Sequence, residues 1–351
     1  FIYYIETKQL RKKMQANSSF FVNIAAIVLL SLGSSPSSFF ASASPLLEKS
    51  DRSLFLFGGG NSCTPGPDFD WSYNTDCSFN VHGQVPPSNW GDIYPDCDGV
   101  RQSPINIAGS ALSINCQSAP FSSQQFSFDN GDCMFDDLKL DISPKGWTVK
   151  VENNCAVAPH VVIDGQQYDL LQFHLHSLSE HAFNGSLFDA ELHLVHVDVS
   201  NPNNLVVIGI NLFSDTNSII NIGLLGSIGI TISTGTGEPA NAELNNYLEA
   251  LADKAGTRRQ LAGTNFQIMP YNMLPSGKDY FNYLGSLTTP PCNEIVTWIV
   301  MKEGITITSD NLDSFRTSLT SVSSPIADED GNNNRPLQPL NGRTIYSCTM
   351  V

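Results

Sequence analysis

Along the central part of this chain, apolar and polar residues alternate with a period of two, and turn residues interrupt the alternation every few positions. Residues 138–142, 147–151 and 160–163 predict short strands, the last ended by Asp164-Gly165. Residues 205–213 and 295–300 are almost wholly apolar and predict buried central strands. A helical period occurs in residues 243–255, where Leu244, Tyr247, Leu248 and Leu251 fall on one face. Residues 219–233 are apolar, yet Asn221 and three glycines suit a core segment better than a membrane span. Gly, Ser and Pro dominate residues 45–69, which predicts a flexible lead-in. No internal repeat is present. The pattern by itself supports a strand-rich globular chain.

One stretch of the pattern carries chemistry. Gln172-Phe173-His174-Leu175-His176 is followed within twenty residues by Glu191-Leu192-His193-Leu194-Val195. On a strand, alternation puts Gln172, His174 and His176 on one face, and on the next strand Glu191, His193 and Val195. A His-x-His pair alone is common on surfaces and in cores. A third histidine on a second apolar strand, with polar residues of the same parity on both, points to a metal. Three neutral nitrogen ligands with an open fourth position make a catalytic zinc site, whereas structural sites are closed by four protein ligands. Gln172 and Glu191 can accept the second ring N–H of the histidines and fix their tautomers. His196 has the opposite parity to His193 and reads as a packing residue.

Further blocks join these two. Gln102-Ser103-Pro104-Ile105-Asn106-Ile107, the histidine runs, Ser179-Glu180-His181, Gly285 to Cys292 and Asn334 to Asn341 occur in an order that resembles the alpha-class carbonic anhydrases. The resemblance covers nearly all of residues 70–346. It implies a mainly β (α+β) single domain over residues 70–351, built on a twisted, mostly antiparallel central sheet with short peripheral helices. Residues 235–260 then read as an insertion relative to compact members.

The resemblance also implies roles. His174, His176 and His193 would hold Zn2+, and hydroxide generated on the metal would attack carbon dioxide to give bicarbonate and a proton. Thr288 would orient that hydroxide, its own hydroxyl donating to Glu180, which is acceptor-only when ionised. Val195, Val207, Leu287, Thr289 and Trp298 would form the substrate wall beside the metal. Tyr73 matches a tyrosine at the cavity mouth, and Arg101, Asn106 and Arg335 read as structural. Fast members carry a proton-shuttling histidine where Ala156 stands here, so the shuttle is unknown; His160 and His82 are the alternatives.

Composition bounds the remaining possibilities. Charged residues make up 15%, with 34 acids against 18 bases and a net charge of −16, which disfavours nucleic acid and anionic membrane surfaces as partners. Lys8, Arg11, Lys12 and Lys13 precede an apolar run from Phe20 to Leu32 and a small-residue pattern at Ala41-Ser42-Ala43. Residues 1–44 therefore read as a signal or targeting segment, with a retained anchor as the competing reading. Met14 lies between the basic cluster and the apolar run. Eight cysteines fit an oxidising compartment: extracellular or periplasmic, with a plastid or thylakoid lumen open. The resemblance pairs Cys97 with Cys292; the other six allow fifteen pairings. The rival readings are a catalytically weak anhydrase-like binding protein and a zinc hydrolase of larger substrates. Loss of a ligand histidine would mark the first, and all three are present. The narrow apolar lining at Val195 and Val207 argues against the second.

Overall fold

A computed structural model describes residues 71–73, 84–135, 138–143, 146–151, 155–215, 241–254, 267–320, 327–328 and 330–351. All of them fall within one compact unit, Ser62–Val351. The expected leader and lead-in, the apolar stretch 219–233, Cys63, Cys77 and His82 lie outside the described residues.

Two short strands come first, β1 (Asn106–Ile107) and β2 (Leu112–Ser113). They are followed by β3 (Phe126–Asp129), β4 (Leu138–Ser143), β5 (Gly146–Val151) and β6 (His160–Ile163). The long strands β7 (Gln166–His176), β9 (Ala190–Asp198) and β10 (Leu205–Ser214) flank a two-residue β8 (Ala182–Phe183). The set closes with β11 (Asp279–Gly285), β12 (Val296–Met301), β13 (Ile305–Ile307) and β14 (Ile345–Thr349). Three α-helices accompany them among the described residues: α1 (Trp90–Ile93), α2 (Ala242–Lys254) and α3 (Ser309–Thr320). The predicted helix at 243–255 is α2, displaced by one residue.

Twelve strands among the described residues form one mixed sheet whose main path is β2-β14-β11-β12-β10-β9-β7-β5-β4. Most pairs are antiparallel, as expected. The exceptions in this sheet are β10, which runs parallel to both β12 and β13, and β14 beside β2. All ten residues of β10 are buried, which is why its sequence is almost wholly apolar, interrupted only at Asn211 and Ser214, without visible alternation.

The two faces of the centre differ in chemistry. Phe173, Leu175, Leu192, Leu194, Val206, Ile208 and Ile299 join one hydrophobic core, covered by Leu244, Tyr247 and Leu248 of α2 and by Leu312, Phe315 and Leu319 of α3. Residues of the other parity, His174, His176, His193 and Val207, turn away from that core. A bulge in β7 sets this up. Leu170 lies opposite His196, but Gln172 lies opposite Val195, so one extra residue is inserted at Leu171. Before the bulge even-numbered residues face the core, as Leu170 does; after it they face the other side.

Candidate metal centre

The three histidines meet because β7 and β9 are direct neighbours. His174 stands opposite His193, and His176 opposite Glu191. The ring centroids are 4.7–5.2 Å apart, and one nitrogen from each ring lies within 4.8 Å of the others. His176 and His193 are buried, and His174 is partly so.

The outer nitrogens determine what the inner ones can do. Nδ1 of His174 donates to Gln172 Oε1 at 2.7 Å, and Nδ1 of His176 to the Asn333 carbonyl at 2.8 Å. Nε2 of His193 donates to Glu191 Oε1 at 2.9 Å. Burial lowers the pKa of His176 to about 4 against the opposing Asn333 carbonyl, and lowers that of His193 against Glu191. A neutral ring has one N–H, and in each case it is already used. Nε2 of His174, Nε2 of His176 and Nδ1 of His193 are therefore left as lone pairs. The first two lie 3.0 Å apart with no proton to share. Two lone pairs at that distance repel unless a cation lies between them, so the donor set fits a metal ion and, being three neutral imidazoles, fits zinc.

Glu191 joins the centre to its surroundings. Its Oε1 accepts from His193 and from His181 Nδ1 (2.7 Å), and its Oε2 accepts the backbone N–H groups of Glu180 (2.9 Å) and His181 (2.8 Å). Burial alone would raise its pKa, but His181 and His193 outweigh burial and hold it well below the usual carboxylate range. His181, Glu191 and His193 also cluster closely enough for a metal. Ring N–H groups already occupy the space between them, so this cluster is a hydrogen-bonded support. His181 is in turn held by Tyr283, whose hydroxyl lies 2.7 Å from its Nε2 and 2.9 Å from Ser103 Oγ.

Opposite the lone pairs stands Glu180, fully buried. Burial raises its pKa to about 7, opposed by His193, by the Arg335 backbone N–H and by the Thr288 hydroxyl. Oε1 accepts that Arg335 N–H at 2.9 Å, while Oε2 faces Nδ1 of His193 at 3.9 Å. Thr288 is buried on the turn after β11, with Leu287 and Thr289 half-buried beside it. The Cys97–Cys292 disulfide ties this turn to the N-terminal segment, with Cα atoms 4.9 Å apart.

With this geometry in view, comparison with known proteins is decisive. The family model described as eukaryotic-type carbonic anhydrase matches residues 85–349. The chain belongs to this family. It is 34% identical over 268 residues to human carbonic anhydrase 7, covering 74% of this chain and 92% of that protein. It is 30% identical over 295 residues to mouse carbonic anhydrase 1, covering 79% and 97%. Among solved structures, the alpha-carbonic anhydrase of Thermovibrio ammonificans in complex with the inhibitor sulfanilamide is similar at 29% identity and a TM-score of 0.55. That match covers 79% of this chain and 98% of the other.

Three of the five expected wall residues of this carbonic anhydrase lie in one row, while Leu287 and Thr289 stand on the turn after β11. Val195 faces Val207 across β9 and β10, and Val207 faces Trp298 across β10 and β12. All three are buried, and the Trp298 ring lies edge-on to His193 with centroids 4.9 Å apart. Tyr73 is buried against Trp71 and Trp90. Burial, then the nearby Glu180 charge, raises its pKa. His196 faces away from His174, His176 and His193: its ring stacks on Tyr271, with Nε2 3.1 Å from that hydroxyl. Sequence reasoning missed Asn333, because a backbone carbonyl leaves no mark in side-chain identity. It also missed the His181–Tyr283–Ser103 chain, whose members are 180 residues apart at the extremes.

Proposed function

We propose that this carbonic anhydrase is a zinc enzyme that interconverts carbon dioxide and bicarbonate in an oxidising compartment. The observation that carries the reading is the convergence of three imidazole lone pairs whose ring protons are all engaged elsewhere. When bound, zinc supplies Lewis acidity that brings the pKa of water down to about 7, a value documented for carbonic anhydrases themselves.

The protein's share is positioning. His174, His176 and His193 would hold the ion, and Gln172, Asn333 and Glu191 keep each ring turned inward. Glu180 takes the Thr288 proton into a hydrogen bond, which leaves the Thr288 oxygen as acceptor for the attacking hydroxide. Hydroxide oriented this way presents its lone pair to the carbon. Carbon dioxide has no charge to grip, so an apolar surface made by Val195, Val207, Leu287 and Trp298, with Thr289 at its edge, suits it. Addition of hydroxide gives bicarbonate, and the proton lost by water leaves to solvent.

Three disulfides among the described residues, Cys97–Cys292, Cys116–Cys348 and Cys133–Cys155, support an oxidising compartment. No helix among the described residues is long and apolar enough to cross a membrane. Export through the basic and apolar start of the chain is the route we infer. The test combines metal analysis with a carbon dioxide hydration assay. One zinc per chain and fast hydration are expected, with both lost in His193→Ala while the circular dichroism of the sheet persists. Full activity without stoichiometric metal would overturn the assignment.

A further inference from the structure

Asn184-Gly185-Ser186 has the Asn-x-Ser pattern of an N-glycosylation acceptor, with a middle residue other than proline. Its position in the fold meets the physical requirements of that modification. Phe183 and Ser186 exchange backbone hydrogen bonds at 2.9 and 3.0 Å, closing a two-residue turn at the end of β8. Asn184 and Gly185 both have positive φ, 48° and 83°, as the tightest hairpin turns require. Phe183 is fully buried against Phe188, so the base of the turn is anchored in the core. The tip is free. Gly185 is exposed, Asn184 and Ser186 are half-exposed, and a Cβ built on Gly185 meets nothing within 4 Å. The turn is held from below by the Asn184 N–H bond to the Ile107 carbonyl (3.0 Å) and by Asn106 Oδ1, which accepts the Gly185 N–H (2.8 Å). Asn184 therefore lies on a half-exposed turn outside the hydrophobic core.

We propose that Asn184 carries an N-linked glycan, and the proposal rests on the export reading above. The donor is an oligosaccharide linked through diphosphate to a lipid. The Asn184 amide nitrogen forms a C–N bond to the anomeric carbon, the C–O bond to the lipid diphosphate breaks with its electron pair, and one amide proton is released. No oxidation or reduction is involved. The competing explanation is that Asn-Gly serves only the turn, since asparagine tolerates positive φ better than most residues. The substitutions must separate these roles. Asn184→Asp keeps a residue suited to the turn but removes the acceptor amide. Ser186→Ala leaves Asn184 in place but removes the hydroxyl of the pattern, and Ser186→Thr preserves it.

The experiment is synthesis of the full chain in a translation system supplied with microsomes. It is read by gel mobility before and after an amidase specific for N-linked glycans, with the Cys97–Cys292 bridge mapped as a marker of lumenal entry. One amidase-sensitive mobility step is expected in the wild type and in Ser186→Thr, and its loss in Asn184→Asp and Ser186→Ala. Peptide mapping should find the sugar on Asn184 and not on Asn17, the other Asn-x-Ser asparagine. Bridged, protease-protected chain with unmodified Asn184 would overturn this proposal and leave export standing. Unprotected chain with reduced cysteines and no glycan would overturn both.

Discussion

Nδ1 of His181 and Nε2 of His193 donate to the same carboxylate oxygen of Glu191, at 2.7 and 2.9 Å. A histidine of the triad and a histidine outside it are thereby oriented by one atom. The other Glu191 oxygen takes the backbone N–H of Glu180, so the residue expected to align Thr288 is anchored to the same group. Gly209 makes room for it: a Cβ there would lie 2.8 Å from Glu191 Oε1.

Glu191→Gln should therefore weaken metal binding. A carboxylate accepts all four N–H donors, whereas an amide must direct its own N–H groups at two of them. Zinc affinity is expected to fall by about 10–100-fold, the scale for losing an outer partner of a ligand histidine. The check is the rate of zinc transfer to a chelator, with the fold followed by circular dichroism. Unaltered transfer would mean that Glu191 does not orient His193.

His196 gives a prediction about acid stability. Burial lowers its pKa to about 4, against the backbone carbonyls that favour its charged form. Unfolded, it should titrate near 6.5. A depressed imidazole pKa means that the unfolded chain binds the extra proton first. Stability from this group is complete above about pH 6.5 and is lost as pH falls towards about 4, by roughly 3 kcal/mol over that interval. Replacing His196 by Gln should flatten the pH dependence of denaturant stability between those values, whatever it costs at neutral pH. Parallel curves for variant and wild type would refute the assignment.

Strand positions and the meeting of the three histidines were legible because alternation is local and the parity of His174 and His176 survives along residues 172–176. The bulge at Leu171 was not legible. It leaves that parity intact but reverses which face the preceding even-numbered residues occupy, and no side chain announces it. Cys97–Cys292 was available from the resemblance, whereas Cys116–Cys348 and Cys133–Cys155 became assignable only with the sheet in place. The Asn333 carbonyl under His176 comes from 157 residues away and belongs to the backbone. Arg335 reads as structural in sequence and is so in the fold. Its guanidinium donates to the carbonyls of Ser103 and Cys97, and its backbone N–H fixes Glu180.

Thr288→Val tests the orienting role directly. The substitution keeps size and β-branching and deletes the hydroxyl beside Glu180. Zinc should remain bound while kcat/KM for carbon dioxide falls on the order of a hundredfold, the scale for one positioned polar contact at a reacting centre. If turnover is unchanged, Thr288 and Glu180 form a structural pair.

Proton release should be the slow step of this enzyme at low buffer concentration. Of the described histidines outside the triad, His181 and His196 are fully buried. His160 is half-buried on β6, opposite Asp169, with Nδ1 3.1 Å from the Ala158 carbonyl. Asp169 precedes His174 by five residues on β7, roughly 17 Å along a strand, too far for one bridging water. The position that the resemblance aligns with the shuttle is Ala156, exposed and next to the Cys133–Cys155 bridge. An alanine cannot carry a proton, whereas an imidazole with a pKa near 6.5 is suited to the task. Turnover should rise markedly when small imidazole buffers are added, and Ala156→His should raise kcat at low buffer. In both cases kcat/KM for carbon dioxide should stay nearly constant, because that ratio reports the attack on carbon and not the later proton transfer. A wild-type rate already independent of buffer concentration would show that another group exports the proton.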